Sequence, residues 1–226
     1  MPVCQIITCP GLVPYDQGLT WQYDRARRRQ SNEVPDGLLL LEHPPTITLG
    51  RRTKREDLLT PLDRLSERGI TVVEVDRGGE ISYHAPGQLV GYPVLDLRAH
   101  GQDLHRYLRD LEETLIRAVS VFGIAANRVP GLTGVWVDEE KIAAIGVKVS
   151  RWVSLHGFAL NIDADLTPMR QDIVPCGIRG KGVASLRELR PELAWTRAAV
   201  ETAVVAAFGD VFSVTPIREQ AGILAP

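Results

Sequence analysis

Strand-like and helix-like hydrophobic patterns are interleaved along this chain, and this interleaving constrains the fold more than any other feature. The clearest helical pattern runs from Asp103 to Phe122, where apolar residues recur on one stripe and Gly123 follows as a stop signal. A second helix is predicted from Thr196 to Gly209, with weaker helical patterns at Val13–Gln30 and Pro61–Arg68. Such helices need a sheet or other helices against which to bury their apolar faces.

Apolar, β-branched runs bounded by Gly, Pro and His predict the strands. They lie at Val3–Thr8, Gly37–Glu42, Ile47–Leu49, Thr71–Val75, Leu89–Leu97 and Phe212–Thr215, and a β-rich middle at Val135–Val137, Ile142–Val149 and Val153–Ile162 predicts an antiparallel meander. Because strands and helices do not alternate as regular βαβ units, we expect an α/β (α+β) fold with a mixed sheet flanked by helices.

The composition is that of an ordinary globular protein, with 44% hydrophobic and 24% charged residues among 226. No long linker or internal repeat divides the chain, so a single domain is predicted over residues 1–226, with an extended tail at 216–226. A net charge of −2 gives no global signature of nucleic-acid binding. No apolar run spans a bilayer and no secretory signal is evident, so we expect a cytoplasmic protein with no nucleic-acid or membrane partner.

The first candidate site is the segment RGGEISYHAPGQ at residues 77–88. Its paired glycines let a ligand approach the backbone, and Arg77, Tyr83 and His84 supply hydrogen-bond donors. A Gly-rich hairpin with one histidine whose hydrogen bonds are satisfied explains the same composition equally well.

The second candidate is Cys176, in the segment PCGI at residues 175–178. The flanking Pro and Gly predict a turn, and Arg170, Arg179 and Lys181 make its surroundings electropositive. Positive neighbours favour the reactive thiolate form of cysteine. Cys176 is therefore the best nucleophile candidate, with an inert buried thiol as the alternative. The other two cysteines, Cys4 and Cys9, are predicted to be core thiols.

The third candidate is Lys141, one of only four lysines among the 26 basic residues. A partly desolvated amine can move protons or serve as the counter-ion of a thiolate, roles that arginine fills poorly. The alternative is a lysine at a strand edge whose stem extends to water. Strict alternation places Lys141 on the face opposite Ala144 and Gly146, and only a bulge or a strand start after Lys141 would bring the three together.

The fourth candidate is a set of small residues in KIAAIG (141–146) and HGFALN (156–161). Ala144 and Gly146 on one predicted strand, and Gly157 and Ala159 on the next, leave room for a narrow apolar ligand, although tight packing would use the same pattern. No phosphate-binding loop and no clustered Cys/His metal pattern is present, so neither a cofactor nor a metal is predicted.

Taken together and in order, the motifs RGGEISYHAPGQ, KIAAIG, HGFALN and PCGI resemble the lipoyl(octanoyl) transferase family, octanoyl-acyl-carrier-protein:protein N-octanoyltransferases. The resemblance covers about residues 38–208 and implies the biotin/lipoate protein ligase fold. It also implies the reaction, transfer of an octanoyl group in lipoate biosynthesis. The implied donor is octanoyl-acyl-carrier protein, and the implied acceptors are lysines on lipoyl domains of 2-oxoacid dehydrogenase complexes and on the glycine cleavage protein.

The resemblance further implies that Cys176 carries the octanoyl group as a thioester, and that Lys141 favours its thiolate and helps to move protons. It implies no cofactor. The implied substrate-binding residues are Arg77, Gly78, Gly79, Glu80, Ile81, Ser82, Tyr83, His84, Ala144, Ile145, Gly146, Gly157, Phe158 and Ala159.

Two other functions fit parts of this pattern. An ATP-dependent lipoate–protein ligase would share the fold and an RGG-type motif but needs no nucleophilic cysteine, and a non-catalytic module would bind acyl chains or lipoyl domains only. The PCGI turn favours the transferase. Acidic partner proteins would find local positive charge, or else a merely solvated face, at Arg25, Arg27, Arg28, Arg29, Arg51, Arg52, Lys54 and Arg55.

Overall fold

The computed structural model describes residues 1–174 and 180–219. The strands are β1 Val3–Leu12, β2 Asp36–Glu42, β3 Thr46–Leu49, β4 Thr71–Glu74, β5 Ile81–His84, β6 Gln88–Val94, β7 Asn127–Val129, β8 Leu132–Val137, β9 Glu140–Ser150, β10 Val153–Asn161, β11 Gly182–Val183 and β12 Thr215–Glu219. The helices are α1 Tyr15–Gln30, α2 Leu62–Glu67, α3 Leu104–Ser120, α4 Thr167–Gln171, α5 Leu186–Leu189 and α6 Arg197–Phe212, with a 3₁₀ turn at Arg55–Asp57.

The strands form two sheets. The large sheet has the order β12-β1-β2-β6-β10-β9-β8-β7, with β11 paired to β9, and the small sheet has the order β4-β3-β5. Parallel pairing of β1 with β2 and β12, and antiparallel pairing from β2 through β6, β10 and β9 to β8, make the large sheet mixed. The predicted mixed sheet flanked by helices is confirmed.

Helices cover both faces of the large sheet. On one face α3 and α6 pack together through residues such as Leu111 and Phe208, and on the other α1 packs through Ala26. The Asp103 side chain accepts backbone N–H groups in the first turn of α3, which fixes where this helix begins. Among the described residues, no helix is both long and apolar enough to cross a membrane.

The small sheet has its own core, shared with α2 and α4. Ile47 from β3, Leu65 from α2 and Met169 from α4 are buried together there. This sheet lies beside β9 and β10, since Gly78, just before β5, donates its backbone N–H to the carbonyl oxygen of Val147 at 2.9 Å.

The predicted end of the last helix is wrong. Helix α6 continues beyond Gly209 to Phe212, so the predicted strand Phe212–Thr215 is wrong as well. A Cβ on Gly209 would lie 2.9 Å from Cγ of Pro216, so this glycine permits close packing rather than ending the helix. The helix ends at Ser213, which adopts a left-handed conformation at φ 53°.

The first residues of the predicted tail lie in a strand. Residues up to Glu219 belong to β12, which pairs in parallel with β1 at the edge of the large sheet. This pairing was not visible in the sequence because its partner lies more than 200 residues away. Residues 220–226 lie outside the described residues.

Candidate active site

A cavity of about 710 Å³ lies between β9 and β10 of the large sheet and the loop and strand around β5. Its volume is within the range of small-molecule sites. Most of the predicted site residues line it, namely Arg77, Gly78, Gly79, Glu80, Ile81, Ser82, His84, Lys141, Ala144, Ile145, Gly146, Gly157, Phe158 and Ala159. The structure therefore brings three separate sequence motifs to one place.

One described residue of the predicted site, Tyr83, does not line the cavity. Tyr83 is buried in the core of the small sheet with Ile47 and Leu65, away from the cavity that Ser82 and His84 line. Alternate side chains of a strand point to opposite faces, so Tyr83 lies on the other face from Ser82 and His84. Ile81, at the start of β5, belongs to the same core as Tyr83 and also reaches the cavity. The predicted nucleophile Cys176 lies outside the described residues.

A β-bulge lies next to Lys141. Val135 of β8 pairs with Ala143, but the next residue, Trp136, pairs with Lys141, so Ile142 is an extra residue in β9. A bulge of this kind re-aims the side chains on either side of it.

The bulge changes which side chains share a face. Ile142 and Ala143 both belong to the core beneath α3 and α6, whereas Lys141 and Ala144 both line the cavity. Strict alternation would have separated Lys141 from the small residues of β9. The bulge is one of the two irregularities that would bring Lys141 and these small residues to the same face.

The side chain of Lys141 is held from two sides. The residue is only 5% exposed, and its Nζ lies 4.8 Å from the centroid of the Trp136 ring, a cation–π geometry. Its stem passes over Gly134, because a Cβ on that glycine would lie 3.2 Å from Cε of Lys141. The side chain of Lys141 is therefore buried, and its stem does not extend to water as the alternative explanation required.

Described residues on both sides of the PCGI segment lie near Lys141. Val183 of β11 pairs in parallel with Lys141, and Ile173 forms an isolated bridge with Leu58. Ile173, Val183 and Lys141 line one small recess beside the main cavity. Described residues that precede and follow the PCGI segment in the sequence thus lie at the same wall as Lys141.

Arg77 organises the loop that carries the RGG motif. Its Nη1 donates to the carbonyl oxygens of Gly78 and Glu80, at 3.2 and 2.7 Å, and its Nη2 donates to the carbonyl and hydroxyl oxygens of Thr48, at 3.0 and 2.8 Å. Gly79 adopts φ +90°, which favours glycine. The motif therefore has a structural explanation as well as a place in the cavity wall.

A buried chain of hydrogen bonds connects the cavity walls. Nδ1 of His84 lies 2.8 Å from Oε1 of Gln88, whose Nε2 donates to Oδ1 of Asn161 at 2.9 Å. Asn161 donates in turn to the carbonyl oxygen of Ala184 at 3.0 Å. The backbone N–H of Ala184 donates to the carbonyl oxygen of Lys141 at 3.1 Å. This network ties β5, β6 and β10 to the strand that carries Lys141.

Two buried histidines near the cavity are uncharged at neutral pH. Nδ1 of His43 lies 2.6 Å from the carbonyl oxygen of Val13 and its Nε2 lies 2.7 Å from the hydroxyl of Tyr92, which fits a neutral ring with its proton on Nδ1. Burial lowers the pKa of His43 to about 4. Burial, with His43 and Arg77 nearby, lowers the pKa of His84 to about 3.

A polar cluster supports one end of the cavity. His156 lines the cavity, and its Nε2 lies 3.0 Å from Oδ1 of Asp76. Lys148 and the hydroxyl of Tyr23 both donate to Asp76. Partial burial opposes ionisation of Asp76, but these hydrogen bonds hold its pKa below the usual range. The cluster joins α1, β9 and β10 to the loop before β5.

Several cavity residues were not predicted from the sequence. They are Tyr15, Arg51, Arg52, Tyr92, Leu104, Leu108, Gly131, Leu132, Thr133, Val147 and His156. Of these, His156 stands in a motif already singled out. The others come from α1, α3, three strands of the large sheet and the loops after β3 and β7, where no local pattern distinguishes a cavity residue from an ordinary surface or core residue.

The residues predicted to form a basic surface do not all share one exposed face. Arg25 is buried and donates to the carbonyl oxygen of Pro35 at 3.1 Å, and Arg29 pairs with Asp36 at 2.7 Å. These two arginines hold the end of α1 against the sheet, so they do not belong to an exposed basic face. Arg51 and Arg52, by contrast, line the cavity.

The remaining groups to consider are the other two cysteines and side chains that could hold a metal ion. Cys4 and Cys9 are buried in β1 as predicted, and burial raises the pKa of their thiols to about 12 and about 11. Within residues 1–174 and 180–219, no three His, Cys, Asp or Glu side chains are grouped so as to hold a metal ion.

Comparison with known proteins identifies the family. The family described as the lipoyl protein ligase A/B catalytic domain matches residues 14–209. The chain belongs to this family. An octanoyltransferase from Roseiflexus sp. is 53% identical over 179 residues, covering 78% of this chain and 74% of that protein. An octanoyltransferase from a Synechococcus species is 47% identical over 232 residues, covering 94% and 88%.

The fold of the lipoyl protein ligase A/B family is also found among solved structures. A putative lipoate protein ligase from T. acidophilum, solved with bound lipoic acid, superposes with a TM-score of 0.74 at 16% identity, covering 99% of this chain and 90% of that one. The resemblance drawn from the four ordered motifs is confirmed.

Proposed function

We propose that this protein transfers an octanoyl group from octanoyl-acyl-carrier protein to a lysine ε-amino group on lipoyl domains, by way of a thioester on Cys176. Its octanoyltransferase relatives support the transfer of octanoyl. The single observation that carries the mechanism is the bulge that turns buried Lys141 into the cavity, next to Ile173 and Val183, the described residues nearest to the PCGI segment on either side that line the same recess.

In the first half-reaction, the Cys176 thiolate attacks the carbonyl carbon of the donor thioester. A new C–S bond forms to Cys176, the C–S bond to the carrier protein breaks, and the carrier leaves as a thiol after taking up a proton. The ammonium group of Lys141 is proposed to favour the thiolate and to supply this proton, which leaves Lys141 as the neutral amine. Because one thioester replaces another, the step is nearly balanced in free energy.

In the second half-reaction, the amine of the acceptor lysine attacks the acyl group on Cys176. A C–N bond forms, the C–S bond breaks, and Cys176 is released as a thiolate while the amine loses a proton, with Lys141 as the proposed acceptor. An amide is more stable than a thioester, so this step runs downhill and needs no ATP.

The apolar floor of the cavity is the proposed site of the acyl chain. Ala144 of β9 pairs with Ala159 of β10, and Gly146 pairs with Gly157, so two rows of small residues lie side by side. Burying a methylene contributes about 0.8 kcal/mol, so an eight-carbon chain placed here gains several kcal/mol of binding free energy. Such a site would also discriminate between chain lengths.

Acidic partner proteins are proposed to dock at the cavity mouth near Arg51 and Arg52. The proposed donor is octanoyl-acyl-carrier protein, and the proposed acceptors are lipoyl domains of 2-oxoacid dehydrogenase complexes and the glycine cleavage protein. Side chains of opposite charge accelerate the encounter of such partners. Arg52 is 70% exposed in its side chain although it pairs with Glu80 at 3.0 Å.

The decisive experiment measures the intact mass of the protein after mixing with octanoyl-acyl-carrier protein in the absence of ATP. We expect an octanoyl adduct that hydroxylamine removes, and that disappears when a lipoyl domain is added. The Cys176→Ala variant should form no adduct, whereas Cys4→Ala should behave like the wild type. Absence of the adduct, or its persistence in Cys176→Ala, would overturn the proposal.

A further inference from the structure

A buried carboxylate on α3 has no place in the proposed chemistry. Glu112 is completely buried, although Leu111 and Leu115 already supply the apolar face that packs on the sheet. A carboxylate is expensive to bury unless its oxygens are satisfied. Both oxygens of Glu112 have partners, so what they hold in place indicates what this residue does.

One oxygen holds a strand and the other holds two arginines. Oε1 of Glu112 accepts the backbone N–H of Gly134 in β8 at 3.1 Å. Oε2 accepts from Nη1 of Arg109 at 2.6 Å and from Nε of Arg128 at 3.1 Å. Hydrogen bonds to charged groups are stronger and more directional than neutral ones. The two arginines therefore fix the carboxylate, and the carboxylate fixes Gly134.

Gly134 is the backbone on which Lys141 rests. It adopts φ +130°, and a Cβ there would lie 2.7 Å from the carbonyl oxygen of Ala143 and 3.2 Å from Cε of Lys141. The ring of Trp136, two residues further along β8, lies 4.8 Å from Nζ of Lys141. A shift of this strand would move both of these contacts and, with them, the amine.

We propose that Glu112 is a positioning residue for Lys141, acting through its hydrogen bond to Gly134 and without touching the substrate. This inference rests on the proposed role of Lys141 in the reaction. It predicts that loss of the Glu112 carboxylate changes the reactivity of the Cys176 thiol in protein that remains folded.

A purely structural role makes a different prediction. If Glu112 only fastened β8 to α3, its replacement would lower the melting temperature and the fraction of folded protein. The reactivity of Cys176 in the molecules that remain folded would then be unchanged. The reactivity of this thiol as a function of pH is therefore the informative measurement.

The experiment measures the rate at which iodoacetamide alkylates Cys176 between pH 5 and 9, quantified on the Cys176 peptide by mass spectrometry in folded protein. Separate quantification of this peptide excludes Cys4 and Cys9, which are buried. The variants are Glu112→Gln, Gly134→Ala, Lys141→Ala and the double variant Glu112→Gln/Lys141→Ala. Glu113→Gln is the matched control, since Glu113 also pairs with Arg128, at 2.7 Å, but lies on the more exposed side of α3.

We expect Lys141→Ala to shift the midpoint of alkylation to higher pH. Glu112→Gln and Gly134→Ala should shift it in the same direction and slow octanoyl transfer by a factor on the order of ten to a hundred, mainly in kcat, because small misplacements of a reacting group have effects of this size. Glu113→Gln should leave the midpoint unchanged. The double variant should match Lys141→Ala alone, because both changes remove the same interaction.

Three outcomes distinguish a failure of the positioning role of Glu112 from a failure of the proposed role of Lys141. If Lys141→Ala shifts the midpoint but neither Glu112→Gln nor Gly134→Ala does, the positioning role is wrong and the proposed function stands. If the shifts of Glu112→Gln and Lys141→Ala add in the double variant, Glu112 does not act through Lys141. If Lys141→Ala changes neither the midpoint nor octanoyl transfer, the proposed role of Lys141 itself is wrong.

Discussion

At the scale of single residues, the clearest result is the confinement of Lys141 between the Gly134 backbone and the Trp136 ring. Lys141→Arg keeps a positive charge but brings a larger, planar group that does not give up its proton in this pH range. We expect single-turnover octanoyl transfer to slow by at least about 100-fold, the size of a typical general acid–base contribution. The same substitution at Lys148, which contacts Asp76 and does not line the cavity, should have little effect. Transfer at the wild-type rate in Lys141→Arg would contradict the proposed role.

His43 allows a second prediction at this scale, concerning stability and pH. Its pKa is about 4 in the folded protein and about 6.5 in the unfolded chain, so unfolding takes up a proton between these values. The stabilising effect of the neutral ring is complete above about pH 6.5 and is lost as the pH falls toward 4. The free energy of unfolding should therefore fall, on account of His43, by about 1.4 kcal/mol per pH unit in this window.

Urea denaturation at several pH values from 7 to 5 measures this dependence. In His43→Gln the free energy of unfolding should depend less steeply on pH than in the wild type. His105→Gln is the control, since His105 is exposed and should not alter the slope. Equal slopes for His43→Gln and the wild type would show that the histidine ring does not carry the effect.

At the scale of elements, those whose signals lie in the local sequence can be predicted, whereas those that depend on pairing with another strand cannot. The position of α3 was predicted within two residues at each end, because its apolar stripe and its Asp103 cap are local. Strand β5 was missed, because the Ile81–His84 segment becomes a strand only by pairing with β3. The bulge at Ile142 was likewise out of reach, since it is defined by the pairing of β9 with β8. The site motifs were recognisable in sequence, but the orientation of Lys141 was not.

The contact between β6 and β10 gives a prediction for these elements. A Cβ on Gly157 would lie 2.1 Å from the carbonyl oxygen of Gly91, so the two strands pack closely only because this residue is glycine. Gly157→Ala should lower the free energy of unfolding by about 2–3 kcal/mol, as overpacking does. Gly11→Ala is the control, because Gly11 has φ +71° but open space around it, and should cost only about 1 kcal/mol in backbone conformation. Equal losses in urea denaturation would contradict the steric explanation.

At the scale of the whole molecule, the cavity exists because two sheets meet. The large sheet provides the floor of small residues and Lys141, and the small sheet provides the Arg77 loop and His84. The hydrogen-bond chain through Gln88 and Asn161 joins the two. Arg51 and Arg52 follow β3 of the small sheet, so this side of the cavity also carries positive charge.

This placement predicts that charge at Arg51 and Arg52 affects partner encounter and not the chemical step. In the double variant Arg51→Glu/Arg52→Glu, the KM for octanoyl-acyl-carrier protein at low salt should rise by about tenfold with kcat little changed, since each exposed charge contributes modestly to association. The difference from the wild type should shrink as salt is raised from about 0.01 to 0.3 M, because screening shortens the reach of the charges. Arg64→Glu is the matched control, since Arg64 is 68% exposed in its side chain on α2 and does not line the cavity. An unchanged KM at low salt in the double variant would place donor docking elsewhere on the surface, whereas a fall in kcat would mean that these arginines act on the reaction itself.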